Sequence, residues 1–332
     1  MLPEWNAFAV VSYCPPLVGI AVSALLTAYL PSSGFGKAFL DTPNERSLHR
    51  TPTPRLGGIG VVAGVLSGWT LLQPAAAWWL ILPLMGLFAI SLLDDLYRLP
   101  VSVRLFAQLV AAALLVVGSD LLAQQGILVA LLVLLCTVWM TNLYNFMDGS
   151  DGLAGGMAVS GFSCFGIAAW LAGNNEMAVL NFTISGAALG FLYFNFPRAR
   201  VFLGDSGAIP LGFLAMAMGL SGWQQDCWEM WFPLLVFSPF IVDATVTLIR
   251  RTLRGAKVTE AHREHYYQRA VQLGWSHRRV AYVEYTLMLA VGISSLVAVR
   301  QTCPWQTLTI WAAIYLVLLL TQDARWKKRP LN

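Results

Sequence analysis

The stretch ILVALLVLLCTVWMTNLYNFMDGSDGLAGGMAVSGFSCFGIAAWLA, residues 127–172, decides the fold. Residues 127–144 are almost wholly apolar. Asn142, Asn145, Asp148 and Asp151 then follow at three-residue steps, with Gly149 and Gly152 among them, and a second apolar arm runs from 153. Each arm has close to the ~20 residues that a helix needs to cross hydrocarbon about 30 Å thick. Neither arm alternates polar with apolar, as the strands of a membrane barrel do. Lipid leaves no backbone group without a partner, so both arms are read as helices.

The same pattern extends outward to both ends of the chain. Of its 332 residues, 57% are hydrophobic and 11% charged, against about 25% charged in soluble domains. A soluble multidomain protein is thereby excluded. Apolar stretches able to span lie near 7–30, 57–73, 77–93, 103–118, 127–144, 153–172, 177–195, 207–222, 230–250, 280–299 and 305–321. The stretches at 57–73 and 207–222 are short and contain glycine, so ten spans is the alternative to eleven. With eleven, the loops alternate so that Lys37, Arg46, Arg50, Arg55, Arg98, Arg104, Arg198, Arg200, the cluster from Arg250 to Arg279 and the tail from Arg325 share one side, with Arg300 alone on the other. Basic residues gather on the cytosolic side. The fold expected is therefore an all-α polytopic integral membrane protein of about eleven transmembrane helices, forming one domain over residues 1–332. Its N-terminus lies outside and its C-terminus in the cytosol. Glu4 stands where a signal peptide has a basic region, and the first span is too long for one, so it reads as a retained helix.

Five cysteines without a C-x-x-C pair argue against zinc or a redox motif. Cys227 and Cys303 both map to outer loops, where an oxidising compartment permits a disulfide. Trp78, Trp79, Trp228 and Trp231, at span ends, read as interfacial anchors. There is no internal repeat.

Chemistry concentrates in the inner loops, near 31–56, 94–104, 142–152, 196–206 and 251–279. Asp94 and Asp95 end the third span. Adjacent carboxylates repel, so they need a cation, a proton or basic neighbours; the pair reads either as a magnesium ligand or proton acceptor, or as a solvated helix end paired with Arg98. Asn142 and Asn145 share a helix flank, and Gly149 and Gly152 let the backbone turn close to a ligand. Hard oxygen donors of this kind suit magnesium, with manganese as the alternative, bound together with substrate phosphates. In Phe202-Leu-Gly-Asp205-Ser-Gly, the amides of a helix start with Ser206 can cradle an anion while Asp205 holds a cation; an ordinary helix cap is the plainer reading. His262, Arg263, His265 and Arg269 suit a diphosphate, or else a basic segment lying on anionic lipid. The segment Arg46-Ser-Leu-His49-Arg50-Thr-Pro-Thr-Pro54-Arg55-Leu-Gly-Gly58 is a proline-stiffened basic entrance to a glycine-rich helix. Asp243 and Glu284 are carboxylates inside spans, and so candidates for function or for a buried network.

In this order, the R-T-P-T-P-R-L-G-G loop, the D-D pair, N-x-x-N-x-x-D-G-x-D-G-L, F-L-G-D-S-G and the late histidine loop carry a resemblance. The chain resembles the polyprenyl-phosphate N-acetylhexosamine-1-phosphate transferases of glycosyltransferase family 4, relatives of the phospho-MurNAc-pentapeptide translocase. The motifs cover residues 40 to 280, and N-x-x-N-x-x-D-G-x-D-G is the most specific of them. The resemblance implies transfer of a sugar 1-phosphate from a UDP-N-acetyl sugar to a polyprenyl phosphate, usually undecaprenyl phosphate. UMP is released, magnesium is needed, and the site faces the cytosol of the bacterial inner membrane. By motif, Asp205 is the magnesium ligand with Asp151. Asp94, Asp95 and Asp151 are the catalytic set. Arg55, Arg104, Asn142, Asn145, Asp148, Arg263 and His265 bind substrates. Partners implied are the two substrates and the bilayer, without nucleic acid; a homodimer is left open. Related enzymes often cluster several histidines in the last loop, whereas His265 here precedes Tyr266, Tyr267 and Gln268. That form is closer to the branch that initiates O-antigen or related surface polysaccharides.

Two other classes remain open on residues alone. Asn145-x-x-Asp148-x-x-Asp151 fits a membrane prenyltransferase, although such an enzyme needs a second spaced aspartate cluster. A transporter would show internal repeats and polar groups at the bilayer midplane, whereas the acids here gather at one face.

Overall fold

The computed structural model describes residues 5–43, 51–72, 78–257, 262–299 and 304–328. Arg46, His49, Arg50, Glu260, Arg300, Cys303 and Arg329 lie outside them, and so does the proposed pairing of Cys227 with Cys303. The helices are α1 (Trp5–Tyr29), α2 (Gly57–Thr70), α3 (Trp78–Tyr97), α4 (Val101–Gly118), α5 (Leu121–Met147), α6 (Leu153–Leu171), α7 (Asn175–Asn195), α8 (Asp205–Gln224), α9 (Trp231–Val236), α10 (Ser238–Leu253), α11 (Tyr266–Gln272), α12 (His277–Ala298) and α13 (Trp305–Lys327). A two-residue ladder pairs β1 (Leu40–Asp41) with β2 (Thr53–Pro54), antiparallel.

The protein is a multi-pass all-α membrane protein. Among the described residues, nine helices are long and apolar enough to cross a bilayer, which differs from the eleven read from sequence. Each expected stretch carries a helix among its described residues, and the difference falls on two of them. With 14 residues, α2 spans only ~21 Å at 1.5 Å per residue. The stretch at 230–250 divides into α9 and α10 at Phe237; Pro239, which has no N–H to donate, stands in the first turn of α10.

At the centre stands α8, buried along most of its length and packed against α2, α3, α5, α6 and α9. Its small residues explain how so many helices reach it, because close backbone approach favours Gly and Ala at such interfaces. A Cβ on Gly212 would sit 2.6 Å from the Met140 carbonyl oxygen of α5. Trp228 departs from its sequence reading. It is buried, its ring stacks on Phe165 at 4.9 Å and its Nε1 donates to the Gly219 carbonyl at 3.0 Å, so it is a core residue and not an interfacial anchor. Trp78 remains half-exposed at its helix end.

The C-terminal ends of α3, α5, α7 and α10 share one end of the bundle with the N-terminal ends of α2, α4, α6, α8 and α12. Contacts between these ends prove the arrangement: Gly58 N donates to Leu203 O at 2.8 Å, Phe202 N to Pro54 O at 2.9 Å and Gly152 N to Asn195 Oδ1 at 2.8 Å. A Cβ on Gly58 would lie 2.3 Å from Gly207 N and 2.5 Å from the Ser206 carbonyl carbon. Backbone on both sides cannot swing away. Gly58→Ala is expected to lower the detergent melting temperature, through overpacking that typically costs ~1–3 kcal/mol; Gly86→Ala, where a Cβ meets nothing within 4 Å, serves as the control and should melt with the wild type.

Candidate active site

Asp95 organises this end. Its Oδ1 accepts the Asp205 amide at 3.1 Å and its Oδ2 the Ser206 amide at 3.0 Å, so a carboxylate from α3 satisfies the first two amides of α8 and lies on the positive end of that helix. Gly204, with φ 76°, makes the approach possible: a Cβ there would come within 2.8 Å of Asp95 Oδ2. The anion cradle read at 202–207 is thus filled by a side chain of the protein itself.

Asp94 turns the other way. Its Oδ1 accepts the Leu99 amide at 2.6 Å and its Oδ2 pairs with Arg104 at 2.9 Å; the same Arg104 nitrogen lies 3.4 Å from Asp205 Oδ2. The ion partner is therefore Arg104 and not Arg98, which closes α3 in the left-handed region at φ 53°. Arg55 pairs with Asp41 at 2.7 Å and feels the charges of Asp205 and Asp95. Asp148, just past the end of α5, belongs to the same group. Burial, then the nearby Asp205 charge, pushes its carboxyl well above the usual carboxylate range against the pull of Arg55.

Asp94, Asp95, Asp148 and Asp205 therefore come together with Arg55 and Arg104. Asp151 lies across the Gly149–Gly152 turn, where its Oδ2 accepts the Ala199 amide at 3.1 Å. The turn itself is pinned from several sides. Tyr285 OH donates to Gly152 O at 2.7 Å, Tyr267 OH to Phe146 O at 2.9 Å, and Ser150 Oγ meets His277 Nδ1 at 2.9 Å.

Asn142 is held by Gln108 of α4: its Nδ2 donates to Gln108 Oε1 at 2.6 Å and to Val138 O at 2.7 Å. Asn145 stands one turn further on the same flank. Sequence reasoning missed Gln108, although it is a buried polar residue inside a span, four positions beyond Arg104 and so on its face. It also missed Asn195, whose side chain joins Gly152 N to Val201 O.

The late histidine loop sits beside this group. His265 is 2% exposed, with its Nδ1 3.4 Å from Asp243 Oδ1 and its ring stacked between Phe146 and Tyr267. Asp243 accepts the amides of Tyr266 at 2.8 Å and Tyr267 at 3.0 Å, which makes it a network residue that fixes the start of α11. Burial, with His265 and Arg251 beside it, pushes His262 down to about 4, so its imidazole is neutral at pH 7. The Arg263 side chain is partly buried, and its carbonyl accepts Gln272 Nε2 at 2.7 Å. The basic cluster is paired in part: Glu264 holds Arg251 and Arg254, and Asp323 holds Arg250 and, at 3.1 Å, Arg269. Arg254, Arg278 and Arg279 stay exposed, so a basic surface remains beside the paired residues.

The glycosyl transferase family 4 model matches residues 77–222, which hold the aspartate pair, the asparagine–aspartate run and Asp205. The decaprenyl-phosphate N-acetylglucosaminephosphotransferase of Mycobacterium tuberculosis (strain ATCC 25618 / H37Rv) is 30% identical over 298 residues, 76% of this chain and 72% of the relative. The chain belongs to glycosyl transferase family 4. Also similar are the probable undecaprenyl-phosphate N-acetylglucosaminyl 1-phosphate transferase of Bacillus subtilis (strain 168), 28% identical over 96% of this chain and 91% of the relative, and the phospho-N-acetylmuramoyl-pentapeptide-transferase of Oceanobacillus iheyensis, 26% identical over 80% and 89%. As a member of this family the protein is an enzyme, a glycosyl-1-phosphate transferase.

The donor set fits a hard divalent cation. Crowded carboxylates with Asp148 driven toward its protonated form mark an excess of negative charge that such an ion relieves. Among the described residues no group of three or more acidic, histidine or cysteine side chains is placed to hold a metal ion by itself; magnesium does not require one, since it keeps waters and takes substrate phosphates as ligands.

Two outcomes are expected here. Asp95→Ala removes the acceptor of two helix-start amides and should cost ~1 kcal/mol of stability together with activity, measured by thermal melting and turnover; Asp95→Asn keeps one acceptor and should melt closer to wild type. Because His262 stays neutral in the folded protein while it gains a proton below pH 6.5 when unfolded, its contribution falls as pH drops from about 6.5 toward 4. His262→Gln should lose less stability than wild type across that interval.

Proposed function

We propose that the protein transfers an N-acetylhexosamine 1-phosphate from a UDP-sugar to undecaprenyl phosphate, releasing UMP and starting a surface polysaccharide, O-antigen or a related glycan. The observation that carries this reading is the convergence of Asp94, Asp95, Asp148 and Asp205 with Arg55 and Arg104 at one end of the bundle. The relatives from B. subtilis and M. tuberculosis, named for undecaprenyl or decaprenyl phosphate and for N-acetylglucosamine, support the acceptor and the sugar class.

In the proposed reaction a phosphate oxygen of the lipid forms a bond to the sugar-bound phosphorus, and the bond from that phosphorus to UMP breaks. Phosphoryl transfer rests on positioning and charge neutralisation. Asp205, with Asp148 beside it, would hold magnesium, which would supply charge neutralisation at the diphosphate; Asp151, turned to the Ala199 amide, stands apart from this pair and would fix the turn that carries Asp148. Arg104 is set by Asp94, and Arg55 by Asp41, where phosphate oxygens need positive charge. Lipid phosphate is largely ionised at neutral pH, its second pKa being near 6 by analogy with phosphorylated side chains, so Asp94 and Asp95 act by positioning and no strong base is needed. The Gln108–Asn142 pair, with Asn145, shapes the nucleotide side. His265 and Arg263 stand at the diphosphate.

The Lys and Arg distribution supports eleven crossings of a bacterial cytoplasmic membrane, N-terminus outside, with the site facing the cytosol. Purified protein given magnesium, undecaprenyl phosphate and a panel of UDP-N-acetyl sugars is expected to release UMP only when lipid and metal are both present. Chelation should abolish release and added magnesium restore it, while Asp205→Asn should lower it at least about a hundredfold. UMP formed without lipid, or by the Asp205→Asn variant at wild-type rate, would sink the reading; product from prenyl diphosphate and an aromatic acceptor would replace it with a prenyltransferase.

A further inference from the structure

Away from the carboxylate cluster, a cavity of about 440 Å³ lies among α10, α12 and α13, within the spanning part of the bundle. Its walls are mainly apolar, with Val242, Leu287, Trp311 and Leu318 among them, yet Glu284 and Gln322 also line it. The Glu284 carboxyl makes no hydrogen bond or ion pair with any described residue, and Gln322 Oε1 is buried without a partner. Among the described residues no Lys, Arg or His lines the cavity. Asp243 borders it, but its two oxygens already serve Tyr266 N, Tyr267 N and Thr247 Oγ1.

A carboxyl at this depth without a counter-charge is costly, and such groups are kept where something pairs with them. The complement of two unpartnered acceptors in an apolar chamber is a cation with several N–H donors attached to an apolar body. An ammonium has three such donors. Glu284 sits about two turns, ~10 Å, into α12, close to the boundary between headgroups and acyl chains. A second cavity of about 300 Å³ shares Gln322 and is also lined by Arg325, which places a cation beside the first chamber for an anionic group.

We propose that this cavity binds a membrane lipid with a primary ammonium headgroup, of the phosphatidylethanolamine class. Its ammonium lies on Glu284, its phosphate toward Arg325, and its acyl chain along α12 and α13. The assignment stands apart from the transferase reading, since none of these residues touches the aspartate cluster.

Native mass spectrometry of the full chain, exchanged into an equimolar mixture of phosphatidylethanolamine, phosphatidylcholine and phosphatidylglycerol of matched chains, tests it. Wild type should retain phosphatidylethanolamine over each of the other two, and Glu284→Gln should reduce that retention about tenfold, the loss of one charge-assisted hydrogen-bonding site. Ala290→Trp, which fills the cavity wall, should displace the lipid with Glu284 intact. Equal retention of the three lipids by wild type, preference for phosphatidylglycerol, or unchanged retention in either folded variant would overturn the proposal. The wild-type preference decides the matter by itself if a variant does not fold.

Discussion

One carboxylate holds the site together. Asp95 crosses from α3 to take the first two amides of α8, and α8 is the helix against which α2, α3, α5, α6 and α9 pack. An amide left bare at a buried helix start costs about as much as a lost hydrogen bond, so the register of α3 against α8 is fixed by a group that also brings negative charge to the cluster. Asp94, its neighbour in sequence, points to the opposite partner and fixes Arg104. Two adjacent acids thus become two different tools, one for the helix end and one for the cation.

The same device recurs at α11. Asp243 lies inside a span and accepts the amides of Tyr266 and Tyr267, fastening the histidine loop to α10, and Asp323 of α13 binds Arg250 and Arg269 from the other side. A carboxylate on a rigid span that caps a following segment positions a loop more firmly than loop contacts alone, because the span is fixed by its packing.

Much of this was legible in the residues. Long apolar runs without alternation force helices in lipid, and three-residue spacing put Asn142 and Asn145 on one flank. The gathering of motifs at one end follows from alternation of the loops. What stayed hidden depends on distance. Sequence spacing favours Arg98 as the partner of Asp94, but a left-handed turn at Arg98 carries the chain round and delivers Arg104 instead. Gln108 gave a signal, a polar residue in a span, that spacing from Arg104 would have strengthened. Nothing in the order of residues says that Asp151 turns to Ala199 while Asp148 stays with Asp205. The division of α9 from α10 was foreshadowed only by Ser238-Pro239.

The pairing of the late loop has an electrokinetic consequence. Arg250, Arg251, Arg254 and Arg269 share only two carboxylates, Asp323 and Glu264, and Arg278 and Arg279 are exposed, so the segment is held in place by ion pairs yet keeps a net positive field toward solution. Long-range attraction of an anion is what ionic strength screens, over ~8 Å at physiological salt. An anionic ligand therefore arrives here at a rate that falls as salt rises, and discrimination is left to groups it meets at contact range.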